Sequence, residues 1–164
     1  MRALFDATQR AIDATVRWLI IALMAVMTVT VTMQILFRYV FNVPLGWSEE
    51  AARFAFVWVS FFGASALMRV REHINVTVFI ERFPARLKTL CKLLANIGGL
   101  ACVYFFLVGG IDLTRNEWGQ LAPAMEIPMG WVYLAIPISA ALMAIWMILQ
   151  TVQTLAELAR GGRA

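Results

Sequence analysis

Long apolar stretches alternate with short polar segments along this chain. Uncharged runs cover residues 18–37, 54–68 and 93–111, and a fourth lies within 127–156. A helix needs about 20 apolar residues to cross a hydrocarbon core of about 30 Å. Helices are expected because a backbone inside lipid must satisfy its own hydrogen bonds. The second run reaches this length if its helix starts at Glu49. The pattern therefore predicts four spans, over approximately 18–37, 49–68, 93–111 and 131–153.

Two segments beside the spans are amphipathic. Residues 4–17 interleave apolar side chains with charged ones, among them Arg10, Asp13 and Arg17. This segment either lies on the membrane surface or extends the first helix, and the extension is preferred. Residues 74–83 are expected along the interface. Pro84 is expected to open the third helix, since proline fits a first helical turn, and Pro137 to kink the fourth.

Small residues recur at a spacing of four within the spans. This spacing lets membrane helices approach closely, although Ala-rich spans produce such pairs by chance. The pairs are Ser60 and Ala64, Ala95 and Gly99, Ala135 and Ser139, and Ala140 and Ala144.

The composition supports a membrane protein. Hydrophobic residues make up 62% of the 164 and charged residues 15%, against roughly 45–50% and 25% in an average soluble domain. A soluble domain of this size could not bury so much apolar surface. A soluble globule, a disordered chain and a disulfide-built module are therefore excluded. The expected fold is an all-α integral membrane protein, with residues 1–164 forming one four-helix domain.

The basic residues predict an orientation. Three Lys and Arg precede the first span, six lie between the second and third, and two follow the fourth. Eleven basic residues therefore lie on one side of the predicted spans and three on the other. Because cytoplasmic segments carry the excess of Lys and Arg, both termini are expected in the cytoplasm. Trp47, Trp118 and Trp131 then lie at the outer interface and Trp18 at the inner one. Orientation also explains the net charge of +4 better than nucleic-acid binding, because no continuous basic face is present.

The first outer hairpin carries the densest polar pattern. Asn42 and Pro44 are expected to stop the first helix. Ser48 is a plausible N-cap for the second, with Glu49 and Glu50 in its first turn, where carboxylates suit the helix dipole. Arg53 follows on an adjacent face.

This hairpin has two interpretations. Arg38 is expected to approach the same carboxylates across the short turn. The simpler interpretation is a helix cap with an interfacial ion pair. The other is a charged cluster that fixes the hairpin and meets another membrane subunit, because charges near membrane depth are costly unless paired. The candidates are Arg38, Trp47, Ser48, Glu49, Glu50 and Arg53.

Catalytic and cofactor chemistry is not predicted. His73 is the sole histidine, so it cannot supply two imidazoles to a haem, and it lacks partners for a metal site. A hydrogen-bonding role near the helix end is the simpler interpretation. Cys91 and Cys102 are too far apart along one helix to form a disulfide. No nucleophile–base grouping or phosphate-binding loop is present in the sequence.

Ordered blocks along the chain carry a family resemblance. They are QILFRYVFNVPLGWSEEAARF at 34–54, Trp58, FGA at 62–64, Arg69, HINV at 73–76, Ile127-Pro128 and YLAIP at 133–137. This set resembles the small membrane subunit (DctQ type) of tripartite ATP-independent periplasmic (TRAP) transporters. Thr77 departs from the family pattern, which usually has an acid there, and this weakens any role for that stretch.

The resemblance implies a non-catalytic, cofactor-free subunit of the bacterial or archaeal inner membrane. Its partners would be a large multi-span permease subunit, an extracytoplasmic solute-binding protein and membrane lipids. The complex would import a solute, often an organic acid, by sodium symport without ATP. This chain would brace the large subunit, and its outer loops would help receive the binding protein. Arg69 and His73 match the family's cytoplasmic block and the hairpin residues its outer block, as interface and structural candidates.

Two other functions are weighed against this one. A small homo-oligomeric multidrug exporter needs a carboxylate inside a span, and the first span has none. The membrane anchor of a respiratory enzyme fails in its haem-binding form on the histidine count, while a haem-free quinone site stays open.

Overall fold

The computed structural model describes residues 2–70 and 85–159. These residues form five α-helices and one 3-10 turn. The elements in chain order are α1 (Arg2–Tyr39), α2 (Gly46–Val70), α3 (Ala85–Asn116), the turn (Glu117–Gly119), α4 (Gly130–Tyr133) and α5 (Ala135–Ala159).

Four helical segments are long and apolar enough to cross a membrane. They are Gln9–Tyr39, Gly46–Met68, Leu93–Gly119 and Gly130–Val152. Each contains or closely overlaps one predicted span, so the four-helix, all-α prediction is confirmed. The preferred extension of the first helix is also confirmed, because α1 is continuous from Arg2. Residues 74–83 and Pro84 lie outside the described residues, although α3 begins directly after them at Ala85.

The fourth span is interrupted near its start. Leu134 separates α4 from α5, although its N–H still donates to the Gly130 carbonyl at 3.0 Å. Pro137 has no N–H to donate to the carbonyl of Tyr133, which removes one bond of the helical series. The series resumes where the Ile138 N–H donates to Leu134 at 3.3 Å. The irregularity expected from Pro137 therefore lies about one turn before the proline.

The long helices pack in a row. α1 packs on α2, α2 on α5, and α5 on α3. Within the described residues α1 and α3 have no comparable contact, so they form the two edges. Among the described residues a buried apolar cluster lies between α3 and α5 and consists of Val103, Ala140, Met143 and Met147. α5 is therefore the centre of the core.

Small residues mark the contacts of α5. Ala135, Ser139 and Ala140 are all buried, whereas Ser60, Ala64 and Ala95 are exposed. On α3, Gly99 lies against the side chain of Met147 on α5. At Gly110 an added Cβ would lie 2.8 Å from Ile136 Cγ2 and 3.0 Å from Pro137 Cδ. The small-residue spacing thus marks the contacts of α5 correctly. On α2 and α3 only some of the small residues lie at a helix contact.

Candidate functional site

Two loops come together at one end of the helices. Residues 40–50 and 117–131 form this surface, named here the loop end. The first loop begins where α1 ends at Tyr39. Asn42 adopts a left-handed conformation (φ 57°), which Asn tolerates better than most residues. The Val43 N–H then donates to the Phe37 carbonyl at 3.1 Å. Asn42 and Pro44 stop the first helix, as predicted.

Ser48 is not the N-cap of the second helix. α2 already begins at Gly46, and the Ser48 N–H donates to the Leu45 carbonyl at 3.2 Å. The Ser48 hydroxyl is fully buried and donates to the same carbonyl at 2.8 Å. The hydroxyl is therefore satisfied within the first turn instead of capping it, which corrects the prediction.

Glu49 and Arg53 form the predicted ion pair on the surface of α2. Arg53 Nη2 lies 3.2 Å from Glu49 Oε1, and both side chains are more than half exposed. Gln34 Nε2 on α1 donates to Glu49 Oε2 at 3.4 Å, a long and weak bond. Exposed pairs of this kind contribute little to stability.

Arg38 does not join this cluster. It is exposed, and no ion pair links it to Glu49 or Glu50, all three of which lie in the described part of the chain. The expected approach of Arg38 therefore forms no ion pair with either carboxylate in the part of the chain that the structure describes. Trp47, 42% exposed, lies at the start of α2 on the same end of the molecule.

Glu50 joins the two loops. Its carboxylate accepts the Ala124 N–H at 3.0 and 3.1 Å and the Met125 N–H at 2.9 Å. Glu50 is half-buried, so these charge-assisted bonds are less screened than those of Glu49. At Gly46 an added Cβ would lie 3.6 Å from Ala124 Cβ, which shows how closely the loops approach.

The second loop is folded so that its tip presents these donors. The Ala122 N–H donates to Ile127 and the Glu126 N–H to Ala122, both at 2.9 Å. The Met129 N–H donates to Gln120 at 2.8 Å. Glu126 closes the turn in a left-handed conformation (φ 54°). Successive N–H groups at such a turn form an anion-binding concavity, and Glu50 fills it.

Tryptophans border the loop end. The Trp118 and Trp131 rings lie 5.5 Å apart. Trp118 packs directly on Gly130, where even a methyl group would collide with the indole. Both rings remain about half exposed. Amphipathic indoles at this level fit a membrane interface or a contact with another protein.

The loop end combines three kinds of surface feature. It presents exposed aromatic side chains, one exposed ion pair and two loops fixed to each other by backbone bonds. Among the described residues, no three His, Cys, Asp or Glu gather into a possible metal site.

The side chains of Arg69 and His73, the candidates from the family's cytoplasmic block, lie outside the described part of the chain. Arg69 belongs to the last turn of α2, and His73 lies outside the described residues. Their roles stay predictions.

Sequence reasoning missed the partners of Glu50. Ala124 and Met125 act through backbone N–H groups, which every residue except proline possesses, so no side-chain pattern marks them. The signal available was Pro123 and Pro128, which border a short segment and indicate a turn.

Comparisons with known proteins agree with these features. The family profile of "Tripartite ATP-independent periplasmic transporters, DctQ component" matches residues 27–157. A putative TRAP transporter small permease protein of Haemophilus influenzae is 27% identical over 161 residues, covering 98% of each chain. The C4-dicarboxylate TRAP transporter small permease protein DctQ of Vibrio cholerae is 31% identical over 130 residues, which are 76% of this chain and 55% of that protein.

A third relative is much longer. The isethionate TRAP transporter permease protein DctMQ of Oleidesulfovibrio alaskensis is 30% identical over 124 residues. The match covers 70% of this chain but only 19% of that protein. A unit like this chain is therefore covalently joined there to a larger permease polypeptide.

Proposed function

This chain belongs to the DctQ component family of TRAP transporters, and from that premise we propose that it braces a large multi-span permease subunit in the bacterial inner membrane. It is a multi-pass membrane protein and a small permease subunit. Its role in the complex is structural, without an enzymatic step or a cofactor of its own.

The longer relative carries this proposal. In DctMQ the matched segment is 19% of one permease polypeptide, so the remaining four-fifths is a natural model for the partner. The row arrangement supports it, because edge helix α1 packs on α2 and has few buried residues in the part of the chain that the structure describes. Such a helix faces either lipid or the helices of another subunit.

The proposed orientation puts the loop end outside the cell and both termini in the cytoplasm. The excess of Lys and Arg on the other side supports it. The loop end then faces the extracytoplasmic binding protein that delivers the solute. The solute is an organic acid, and a sodium gradient drives its uptake by symport without ATP.

Reconstitution tests the proposal. The large subunit, this chain and the binding protein are placed in liposomes with a sodium gradient, and uptake of radiolabelled succinate and isethionate is measured. We expect uptake only when all three proteins and the gradient are present. Transport by this chain alone, or full transport by the large subunit without it, would contradict the proposed role.

Co-purification provides a test that needs no solute. A tagged copy of this chain, expressed with the large subunit, should retain it through detergent extraction. A native complex that lacks any such large subunit would overturn the proposal.

A further inference from the structure

A groove lies between α1, α2 and α5 at the end opposite the loop end. It has a volume of about 250 Å³. Its apolar walls come from all three helices, mainly Val16, Ile20, Ala66, Leu142 and Trp146. The groove therefore offers an elongated apolar surface beside the span of α1.

The mouth of this groove is charged. Asp13 and Arg17 both line it, and they lie one turn apart on the same face of α1, about 6 Å along the axis. One oxygen of Asp13, Oδ2, is shielded from solvent, and the residue as a whole is half-buried.

The depth of this mouth is defined by its neighbours. Trp18 follows Arg17 directly and is 68% exposed, as expected for an indole at a membrane interface. The uncharged run of α1 begins at the same residue. The two charges therefore lie at headgroup level, and the apolar walls lie at acyl-chain level.

We propose that this groove binds a phospholipid with a primary-amine headgroup, of the phosphatidylethanolamine class. An acyl chain lies along the apolar walls, the phosphate contacts the Arg17 guanidinium, and the ammonium contacts the Asp13 carboxylate. A cation and an anion one turn apart match a headgroup that carries the opposite charges on a two-carbon linker.

Other headgroups fit the same mouth less well. Phosphatidylglycerol carries a phosphate for Arg17 but no cation, so its headgroup offers the Asp13 carboxylate no ionic contact. Phosphatidylcholine carries a quaternary ammonium that has no N–H to donate. The proposal needs only a chain that spans a bilayer, so it stands apart from the role proposed beside the large subunit.

Native mass spectrometry tests the selectivity. The delipidated chain is titrated with dioleoyl phosphatidylethanolamine, phosphatidylglycerol and phosphatidylcholine. Wild type should bind phosphatidylethanolamine about fivefold more tightly than the other two, as expected for one interfacial ionic contact. Equal binding of the three lipids would overturn the proposal.

Two variants distinguish the contribution of Asp13 from that of Arg17. Asp13→Asn should abolish or invert the preference over phosphatidylglycerol, a change that simple misfolding would not produce. Arg17→Gln should weaken all three lipids together. Asp112→Asn and Arg115→Gln are matched controls, because these exposed residues lie at the other end of the membrane on α3 and make the same changes in charge. Unchanged selectivity in Asp13→Asn would contradict the assignment.

A third variant tests the groove itself. Ala66→Phe places a ring in the acyl path and should weaken all lipids without changing their order, with folding checked by thermal unfolding. The titration is then repeated on the complex with the large subunit. Retained phosphatidylethanolamine binding supports the proposal, whereas its loss would show that a partner helix occupies the groove and would overturn it.

Discussion

Helices α1 and α5 are both long and strongly apolar, yet they occupy opposite places in the fold. In the apolar 18-residue stretch of the span Gln9–Tyr39 only 6% of residues are buried, against 39% in the corresponding stretch of Gly130–Val152. Lipid is as apolar as a leucine side chain, so hydrophobicity alone does not draw one membrane helix toward another. Hydropathy therefore selects the segments that enter the membrane, whereas side-chain packing selects the helix that forms the core.

Residue size explains why α5 is central. Its buried positions include Ala135, Ser139 and Ala140, and small side chains let neighbouring backbones come close. α1 instead exposes large or β-branched side chains such as Val29 and Ile35. Its surface is left for lipid or for another subunit.

The largest expected effect comes from shortening a core side chain of α5. Met143 is 9% exposed and belongs to the core cluster, so Met143→Ala should lower the free energy of unfolding by about 2 kcal/mol through the cavity it leaves. Met24→Ala is the matched change on α1, where the side chain is 41% exposed. It should cost less than about 0.5 kcal/mol. The free energies are measured by reversible unfolding in mixed micelles. Equal losses for the two variants would contradict the difference in burial between α5 and α1.

Two adjacent glycines on α3 test the contact with α5. Gly110→Ala would place a methyl group 2.8 Å from Ile136 Cγ2 and 3.1 Å from the backbone nitrogen of Pro137. We expect a loss of about 1–2 kcal/mol, because proline and backbone yield little. At Gly109 an added Cβ meets nothing within 4 Å, so Gly109→Ala should be neutral or stabilising. The apparent unfolding temperatures of the two variants should therefore move apart.

Neighbouring glutamates on α2 compare its bonds to the second loop with those on its own surface and toward α1. Glu50→Ala leaves the Ala124 and Met125 N–H groups without their acceptor and should cost about 1 kcal/mol. Hydrogen exchange at 120–129 should become faster. Glu49→Ala removes only exposed contacts with Arg53 and Gln34 and should change stability by less than about 0.5 kcal/mol.

The double variant extends this test to assembly. Glu49→Ala with Glu50→Ala should weaken co-purification with the large subunit or lower the folded yield. Normal assembly and normal uptake would show that these charges have no structural role.

The smallest effect concerns two glutamines. Gln150 Nε2 on α5 donates to the Met68 carbonyl near the end of α2 at 3.1 Å. Gln150→Leu should cost about 0.6 kcal/mol, a typical value for a side-chain hydrogen bond between membrane helices. Gln34→Leu on α1 removes the longer 3.4 Å bond and should cost less. A larger loss at Gln34 would mean that α1 is fixed more firmly than its exposure indicates.

The local features of the loop end followed from the sequence more readily than its long-range contacts. The stop at Asn42 and the Glu49–Arg53 pair depend on residues close in sequence, and both were predicted. The cap at Ser48 failed because the helix starts two residues earlier, at Gly46. The contact of Glu50 with Ala124 joins positions 74 residues apart through a backbone donor, which no local pattern encodes.

The amino-acid pattern alone was enough to predict that the chain enters a membrane, how many spans it forms and near which residues they end. Those properties depend on the length and charge of each segment. Each segment must cross the hydrocarbon core and satisfy its own backbone hydrogen bonds independently of the others. The three-dimensional packing adds that the helices lie in a row with α5 inside and α1 at the edge, and that Glu50 fastens the two loops. Helix order in lipid depends on steric fit and on single hydrogen bonds between distant residues, which a one-dimensional apolar pattern does not specify.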